Sequence, residues 1–227
     1  MTGTALAIIP ARMSSTRLPG KILLQAAGRP IIEHQIRRIQ SITGIDVVVA
    51  VAEEPASKPL LDTLKAMDPP PLIYTGHPTD VLERFYGAAV TYQGDPVLRI
   101  TSDCPLVDPN LIFNLIAHFH FSHQDLVAVA AGVGAENRGL RRFPDGLDAE
   151  VIRFSALEIA WIEAQDPYSR EHVTPYIWKR PERFKIGFLE NDDGDYGRVK
   201  LSLDTLDDYK LIRGIIEHFR DKPFGYG

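Results

Sequence analysis

The segment Ile9-Pro10-Ala11-Arg12-Met13-Ser14-Ser15-Thr16-Arg17-Leu18-Pro19-Gly20-Lys21 sets three cations among small residues, directly after an apolar run over residues 5–9. Such a run reads as a buried strand, and a helical pattern follows. Arg12, Arg17 and Lys21 therefore fall in a loop at the carboxyl end of a first strand. Open α/β sheets bind their ligands at that edge. Gly20 and the small residues let backbone amides approach an anion, while the three cations bring charge to phosphate oxygens. The chemistry expected here is the binding of a polyphosphate, such as the tail of a nucleotide. A solvated basic loop is the plain alternative. The spacing is not that of a Walker A loop, because Gly20-Lys21 is followed by Ile22 and position 15 is Ser. No Gly-x-Gly-x-x-Gly follows a strand either.

Two carboxylates could complement the loop. Asp103 ends the apolar run 97–101, with the turn Cys104-Pro105 behind it, and so faces the same edge. Triphosphates come with Mg²⁺, which takes one or two protein carboxylates besides water and phosphate oxygens. The competing role, capping the next helix, suits Asp108 before Pro109 better. Asp204 closes a strand expected over 199–203. By position it serves equally well as the cap of the last helix. Asp80 and Arg84 stand one helical turn apart, a spacing that can simply stabilise a helix. They also follow Tyr74-Thr75-Gly76-His77, a strand-end loop on the ligand edge. His118, His120 and His123 read as the polar end of a helix rather than as metal ligands. Cys104 reads as a small buried hydrophobe, because no base is positioned to activate it. The Asp- and Gly-rich stretch 192–195 reads as a turn.

The elements that must position these residues alternate. Strands are expected at 5–9, 47–52, 72–74, 97–101 and 126–131, and helices at 31–40, 60–67, 80–92 and 109–121, with Thr79 or Asp80 as a cap. Such alternation predicts an α/β fold with a doubly wound, mostly parallel sheet. The second half is less regular. Residues 132–145 suggest a small β excursion, followed by strands at 147–153, 184–189 and 199–203 and helices at 155–165, 170–179 and 205–220. No repeat or linker interrupts the chain, so residues 1–227 are expected to form a single domain.

Composition narrows the function. Apolar residues make up 44% and charged residues 24%, ordinary values for a globular protein. Thirty acidic against 25 basic residues give a net charge of −5, a poor match for nucleic-acid binding. No apolar run approaches the roughly 20 residues of a membrane span. The start lacks a basic, apolar leader, and the lone cysteine excludes an intrachain disulfide, which together suggest a cytoplasmic protein.

Residues 9–23 resemble the signature of the cytidylyltransferases that include CMP-sialic acid and CMP-KDO synthetases, and are most similar to the spore-coat polysaccharide (SpsF-like) branch. Further segments resemble that branch in the same order: Gly76-x-x-x-Asp80-Val81-Leu82-x-Arg84-Phe85, Arg99-Ile100-Thr101-Ser102-Asp103-Cys104-Pro105, Phe143-Pro144-Asp145-Gly146-Leu147-Asp148-Ala149-Glu150, Arg170-Glu171-His172-Val173-Thr174-Pro175-Tyr176 and Leu203-Asp204-Thr205. The resemblance implies a Rossmann-like nucleotidyltransferase fold and transfer of CMP from CTP to a sugar acid, with pyrophosphate released. It implies Mg²⁺ held by Asp103 and Asp204, and a base and ribose near Asp80 and Arg84. Asp145, Asp148 and Glu150 become candidates for sugar hydroxyls, and His172 for the sugar acid. The resemblance also implies a homodimer contact at residues 143–150, although their alternation equally suits a plain half-buried strand. A glycosyltransferase using a nucleotide sugar is the enzymatic alternative. It is disfavoured because Asp103-Cys104-Pro105 lacks the second acid of an Asp-x-Asp. A non-catalytic nucleotide- or sugar-binding module is the other.

Overall fold

The computed structural model describes residues 5–15, 17–129, 142–191, 194–220 and 222–226. Its elements run β1 (Ala5–Ala11), β2 (Gln25–Ala26), β3 (Arg29–Pro30), α1 (Ile31–Gln40), β4 (Ile45–Ala52), α2 (Lys58–Lys65), β5 (Leu72–Gly76), α3 (Val81–Thr91), β6 (Val97–Ile100) and α4 (Pro109–Ser122). There follow β7 (Leu126–Ala128), β8 (Ala149–Ile152), α5 (Phe154–Glu163), α6 (Pro167–His172), α7 (Pro175–Trp178), β9 (Ile186–Phe188) and α8 (Leu206–Phe219).

Among the described residues, seven strands form one sheet in the order β5-β4-β1-β6-β8-β7-β9, and β2 with β3 forms a separate hairpin. All pairings among β5, β4, β1 and β6 are parallel, while β8 runs antiparallel to both β6 and β7. Helices cover both faces, so strand residues of both parities are buried. Ala7, Ile9 and Ala11 pack with Ile32, Ile36 and Ile39 of α1, Leu60 and Leu64 of α2, and Leu111 and Leu115 of α4. Leu6 and Ile8 pack on the other face with Leu82 and Phe85 of α3 and Leu157 of α5. A smaller cluster seats Ile212 and Ile216 of α8 against Ala26, Ile31, Leu106 and Leu203. No described helix is long and apolar enough to cross a membrane.

The winding explains where a ligand must go. From β1 the chain adds β4 and β5 on one side, then returns to place β6 on the other. The carboxyl ends of β1 and β6 are therefore splayed by connections leaving in opposite directions, which opens a crevice at this switch point. The loop carrying Arg12, Arg17 and Lys21 follows β1, and the turn carrying Asp103 follows β6.

Several expectations are corrected. The strand expected over 199–203 does not form. That segment is tied to loops instead, through a single bridge between Asp145 and Lys200 and through Leu203 N–H donating to the Asp103 carbonyl (2.8 Å). The helix expected over 170–179 is two helices, because Val173 adopts φ 72 between α6 and α7 and Pro175 opens the second. A buried β-branched residue in that region is strained, and the surrounding packing holds it there. Asp80 caps α3 by accepting from Glu83 N–H, and Asp108 caps α4. Asp204 does not cap α8: Thr205 does, in a reciprocal box with Asp208. Of the β excursion expected over 132–145, residues 132–141 lie outside the described residues, and 142–145 contribute only the Asp145 bridge. Two residues of the turn expected at 192–195 also lie outside them.

Two substitutions test this framework. Gly146 has φ +107, and a Cβ there would lie 2.4 Å from the Leu201 carbonyl carbon and the Ser202 nitrogen. Gly146→Ala is expected to cost about 2 kcal/mol or more, read as a lower urea midpoint at unchanged slope. An unchanged midpoint would refute the close approach of the two segments. Burial pushes the Asp208 carboxyl up, but Lys200, Thr205 and the Asp204 and Thr205 amides outweigh it and bring the pKa to about 2. A depressed carboxyl adds stability above its unfolded pKa and loses it as pH falls toward its folded one. The melting temperature of Asp208→Asn should therefore lie below wild type at neutral pH, and the gap should close between about pH 4 and 2.

Candidate active site

The loop after β1 folds back on itself. Gly20 N–H and Ser15 N–H both donate to the Met13 carbonyl, and Gly20 takes a left-handed turn at φ 67 that glycine adopts without strain. This delivers Lys21 to the first turn of a short helix, with its side chain only 13% exposed. The Lys21 ammonium donates to the Leu203 carbonyl and lies 3.2 Å from Asp204 Oδ1 and 3.8 Å from Asp103 Oδ2. Arg17 donates to the same Asp204 oxygen at 2.8 Å. Four residues singled out in the sequence, from three separated segments, thus meet at one point.

Asp103 is held there by residues that the sequence reading passed over. Gln35 lies fully buried in α1 and donates to the Thr101 carbonyl (2.7 Å) and the Cys104 carbonyl (2.9 Å). Arg38, one turn on, donates to the Val107 carbonyl at 2.6 Å. The Thr101 hydroxyl donates to Asp103 Oδ1. The polar side of α1 thereby fixes the turn whose carboxylate faces Lys21. Asp145 joins through its backbone, accepting from Leu201 N–H and donating to the Val199 carbonyl. Burial drives the Cys104 thiol well up, and the charges of Asp103, Asp148 and Asp145 push it further. The buried thiol therefore stays protonated and carries no nucleophilic chemistry.

A second group gathers around Arg12, on the face of the sheet covered by α3 and α6. Arg12 lies 3.8 Å from Glu171 Oε1. Burial lowers the His172 pKa, Glu171 opposes this, and Arg99 and Arg12 add to the lowering, which keeps the imidazole neutral at pH 7. Arg84 is 1% exposed, and its Nη1 donates to the His77 and Pro78 carbonyls. It fixes the loop after β5 from beneath. Asp80, besides capping α3, forms a two-pronged ion pair with Arg170 of α6. The i,i+4 spacing of Asp80 and Arg84 therefore does not translate into an ion pair between them. Each ties the ligand edge to a different segment.

Arg99 and Glu150 form a buried pair on the same side as His172. They are opposed in register on β6 and β8, with Arg99 Nη1 donating to Glu150 Oε2 at 2.8 Å, and the Thr174 hydroxyl donates to Glu150 as well. Burial raises the Glu150 pKa, while Arg99 and Thr174 pull it back. The Arg99 Nε is buried without a partner among the described residues. A charged residue inside Val-Leu-Arg-Ile was the sequence signal for this pair.

Among the described residues no group of three His, Cys, Asp or Glu could by itself hold a metal. His118, His120 and His123 stay at the carboxyl end of α4. An ion shared with phosphate oxygens needs fewer protein donors, and the convergence of Asp103 and Asp204 on one ammonium suits a hard cation of that kind.

Comparison with known proteins agrees with this geometry. The profile of a family described as cytidylyltransferase matches residues 6–222. The chain is 33% identical over 216 residues to an uncharacterised protein of Methanocaldococcus jannaschii, covering 93% of this chain and 83% of the relative. It is 27% identical to the spore coat polysaccharide biosynthesis protein SpsF of Bacillus subtilis, covering 95% and 88% of the two chains. A 3-deoxy-manno-octulosonate cytidylyltransferase of Anaeromyxobacter dehalogenans is 34% identical over 190 residues, covering 81% and 74%. Among solved structures, a cytidylyltransferase of Leptospira borgpetersenii superposes with a TM-score of 0.85 at 28% identity, covering 98% and 90%. With a cationic loop and two facing carboxylates on the switch-point edge, the chain belongs to the cytidylyltransferase family of nucleotidyltransferases.

Proposed function

We propose that the protein transfers a cytidylyl group from CTP to a hydroxyl of a sugar acid, releasing pyrophosphate, in the synthesis of a surface polysaccharide. The observation that carries this reading is the meeting of Lys21 and Arg17 with Asp103 and Asp204 at the edge between β1 and β6. The relatives supply the choice of CTP and of a sugar acid.

The oxygen of the sugar hydroxyl forms a bond to the α-phosphorus of CTP, the bridge to the β-phosphorus breaks, and the hydroxyl proton is released. Such a step depends on positioning and on stabilising charge that develops on the leaving phosphates. Lys21 and Arg17 would meet that charge on a triphosphate tail following the loop, and Arg12 would extend the cationic line. Lys21 is preorganised, because a carbonyl and two carboxylates from distant segments fix its ammonium before any ligand arrives. Asp103 and Asp204 would hold Mg²⁺, which supplies charge neutralisation at the phosphoryl oxygens and polarises the α-phosphorus. His172, neutral and tilted against Tyr168 with ring centroids 4.5 Å apart, would offer the acceptor a hydrogen-bonding group without adding charge. Asp145 and Asp148, whose charges both act on the Cys104 thiol next to Asp103, would accept hydrogen bonds from sugar hydroxyls.

Pyrophosphate release should appear with CTP and Mg²⁺ when a panel of sugar acids is supplied. UTP, ATP and GTP should give less. Silence with all four nucleotides across the panel would refute the reading. Removing one preorganised donor costs about 3–4 kcal/mol of barrier, so Lys21→Ala should cut turnover by about 10²–10³-fold. Turnover within threefold of wild type would remove Lys21 from this role. Asp103→Asn and Asp204→Asn should each raise the Mg²⁺ concentration needed for half-maximal rate. If neither does, the metal assignment fails.

A further inference from the structure

Away from the catalytic edge, α1, the start of α4 and the chain that follows α8 enclose a cavity of ≈ 620 Å³. Its wall carries Arg29, His34, Arg37, Arg38, Arg220 and Lys222, and none of its described lining residues is acidic. This concentration of positive charge stands out in a chain with a net charge of −5. Two carboxylates stand outside the wall: Glu33, shared by Arg37 at 2.8 Å and Arg29 at 3.5 Å, and buried Asp108, whose charge favours the Arg38 cation and which accepts from Tyr226 N–H. Arg38 is spent on structure: its Nε and Nη2 donate to the Val107 and Phe224 carbonyls, and its guanidinium lies 4.0 Å from the Phe224 ring centroid. The side chains of Arg220 and Lys222 have no hydrogen bond or ion pair with any described residue.

Cations brought together in a concave, water-accessible space repel one another, and Arg220 and Lys222 add to that repulsion without a described internal partner. A ligand with several negative charges removes that repulsion, and guanidinium forks match phosphate oxygens well. The volume lies within the roughly 300–1,000 Å³ typical of small-molecule sites. We infer that this cavity is a second anion site that takes a small ligand bearing a polyphosphate chain. It is separate from the catalytic edge, because Asp204 precedes α8 whereas Arg220 follows it, and a helix of 14 residues is about 20 Å long. The inference stands independently of the proposed reaction.

Calorimetric titration with inorganic tripolyphosphate in magnesium-free buffer tests it, using Lys21→Ala to weaken binding at the catalytic edge. That variant is expected to retain a site of one tripolyphosphate per chain. Adding Arg220→Gln and Lys222→Gln should weaken the site at least tenfold. Adding Lys58→Gln and Lys65→Gln, an equal charge change on α2, should leave it within twofold. No binding by Lys21→Ala would overturn the inference, as would undiminished binding after Arg220 and Lys222 are changed or equal loss in the α2 control. In the otherwise wild-type chain, Arg220→Gln/Lys222→Gln should melt within 2 °C of wild type, because neither side chain has a partner among the described residues. Repeating the titration with ATP separates the sources: tighter binding than tripolyphosphate identifies a nucleotide as the ligand, and weaker binding a free polyphosphate.

Discussion

The Lys21 ammonium is the point on which the site depends. It joins the loop after β1, the turn after β6 and the segment before α8, three pieces of chain with no sequence proximity. A nearly buried ammonium needs its charge met, because desolvation without a partner is costly. Two carboxylates and a carbonyl meet that need, and in doing so they fix their own positions. The same set of charges that makes the edge stable also leaves it prepared for a charged substrate.

That convergence is possible because the sheet reverses its winding beside β1. Residues at the ends of β1 and β6 are neighbours through strand pairing, as Ile8 and Arg99 illustrate, so loops leaving these strands begin close together. The helices then refine the placement. Gln35 and Arg38 use the polar side of α1 to hold the 101–107 turn, while Ile32, Ile36 and Ile39 bury its apolar side. One helix thus serves the core and the site with different faces, the division that a 3.6-residue period permits. On the opposite face of the sheet, Arg84 and the Asp80–Arg170 pair lock the loop after β5 and α6 to the same edge.

Much of this was legible because it is local. The apolar runs of β1, β4 and β6 and the stripes of α1 and α4 announce themselves by composition and period, and so does the cationic loop between β1 and α1. Asp108 before Pro109 reads as a cap, and the structure shows it capping. The misreadings share a cause. Residues 199–203 have the alternation of a strand but find only loop partners, and a strand exists only where another strand accepts its hydrogen bonds. Residues 170–179 read as one helix, yet φ 72 at Val173 ends the first and Pro175 opens a second. The β2–β3 hairpin and the antiparallel run of β8 involve pairings too short or too distant for periodicity to signal.

The sequence by itself determined the alternating α/β architecture, the cationic loop with its facing carboxylates, and the family, since these follow from residue types in local order. Only the tertiary structure decided which charges meet. It gave Asp204 to Lys21 rather than to the start of α8, paired Asp80 with Arg170 rather than Arg84, and buried Arg84 beneath a loop. It also collected cations from α1 and the chain after α8 around one cavity. The reason is physical: helix and strand periods act over neighbouring residues, whereas an ion pair is chosen by distance and desolvation in space, which the order of residues along the chain does not contain.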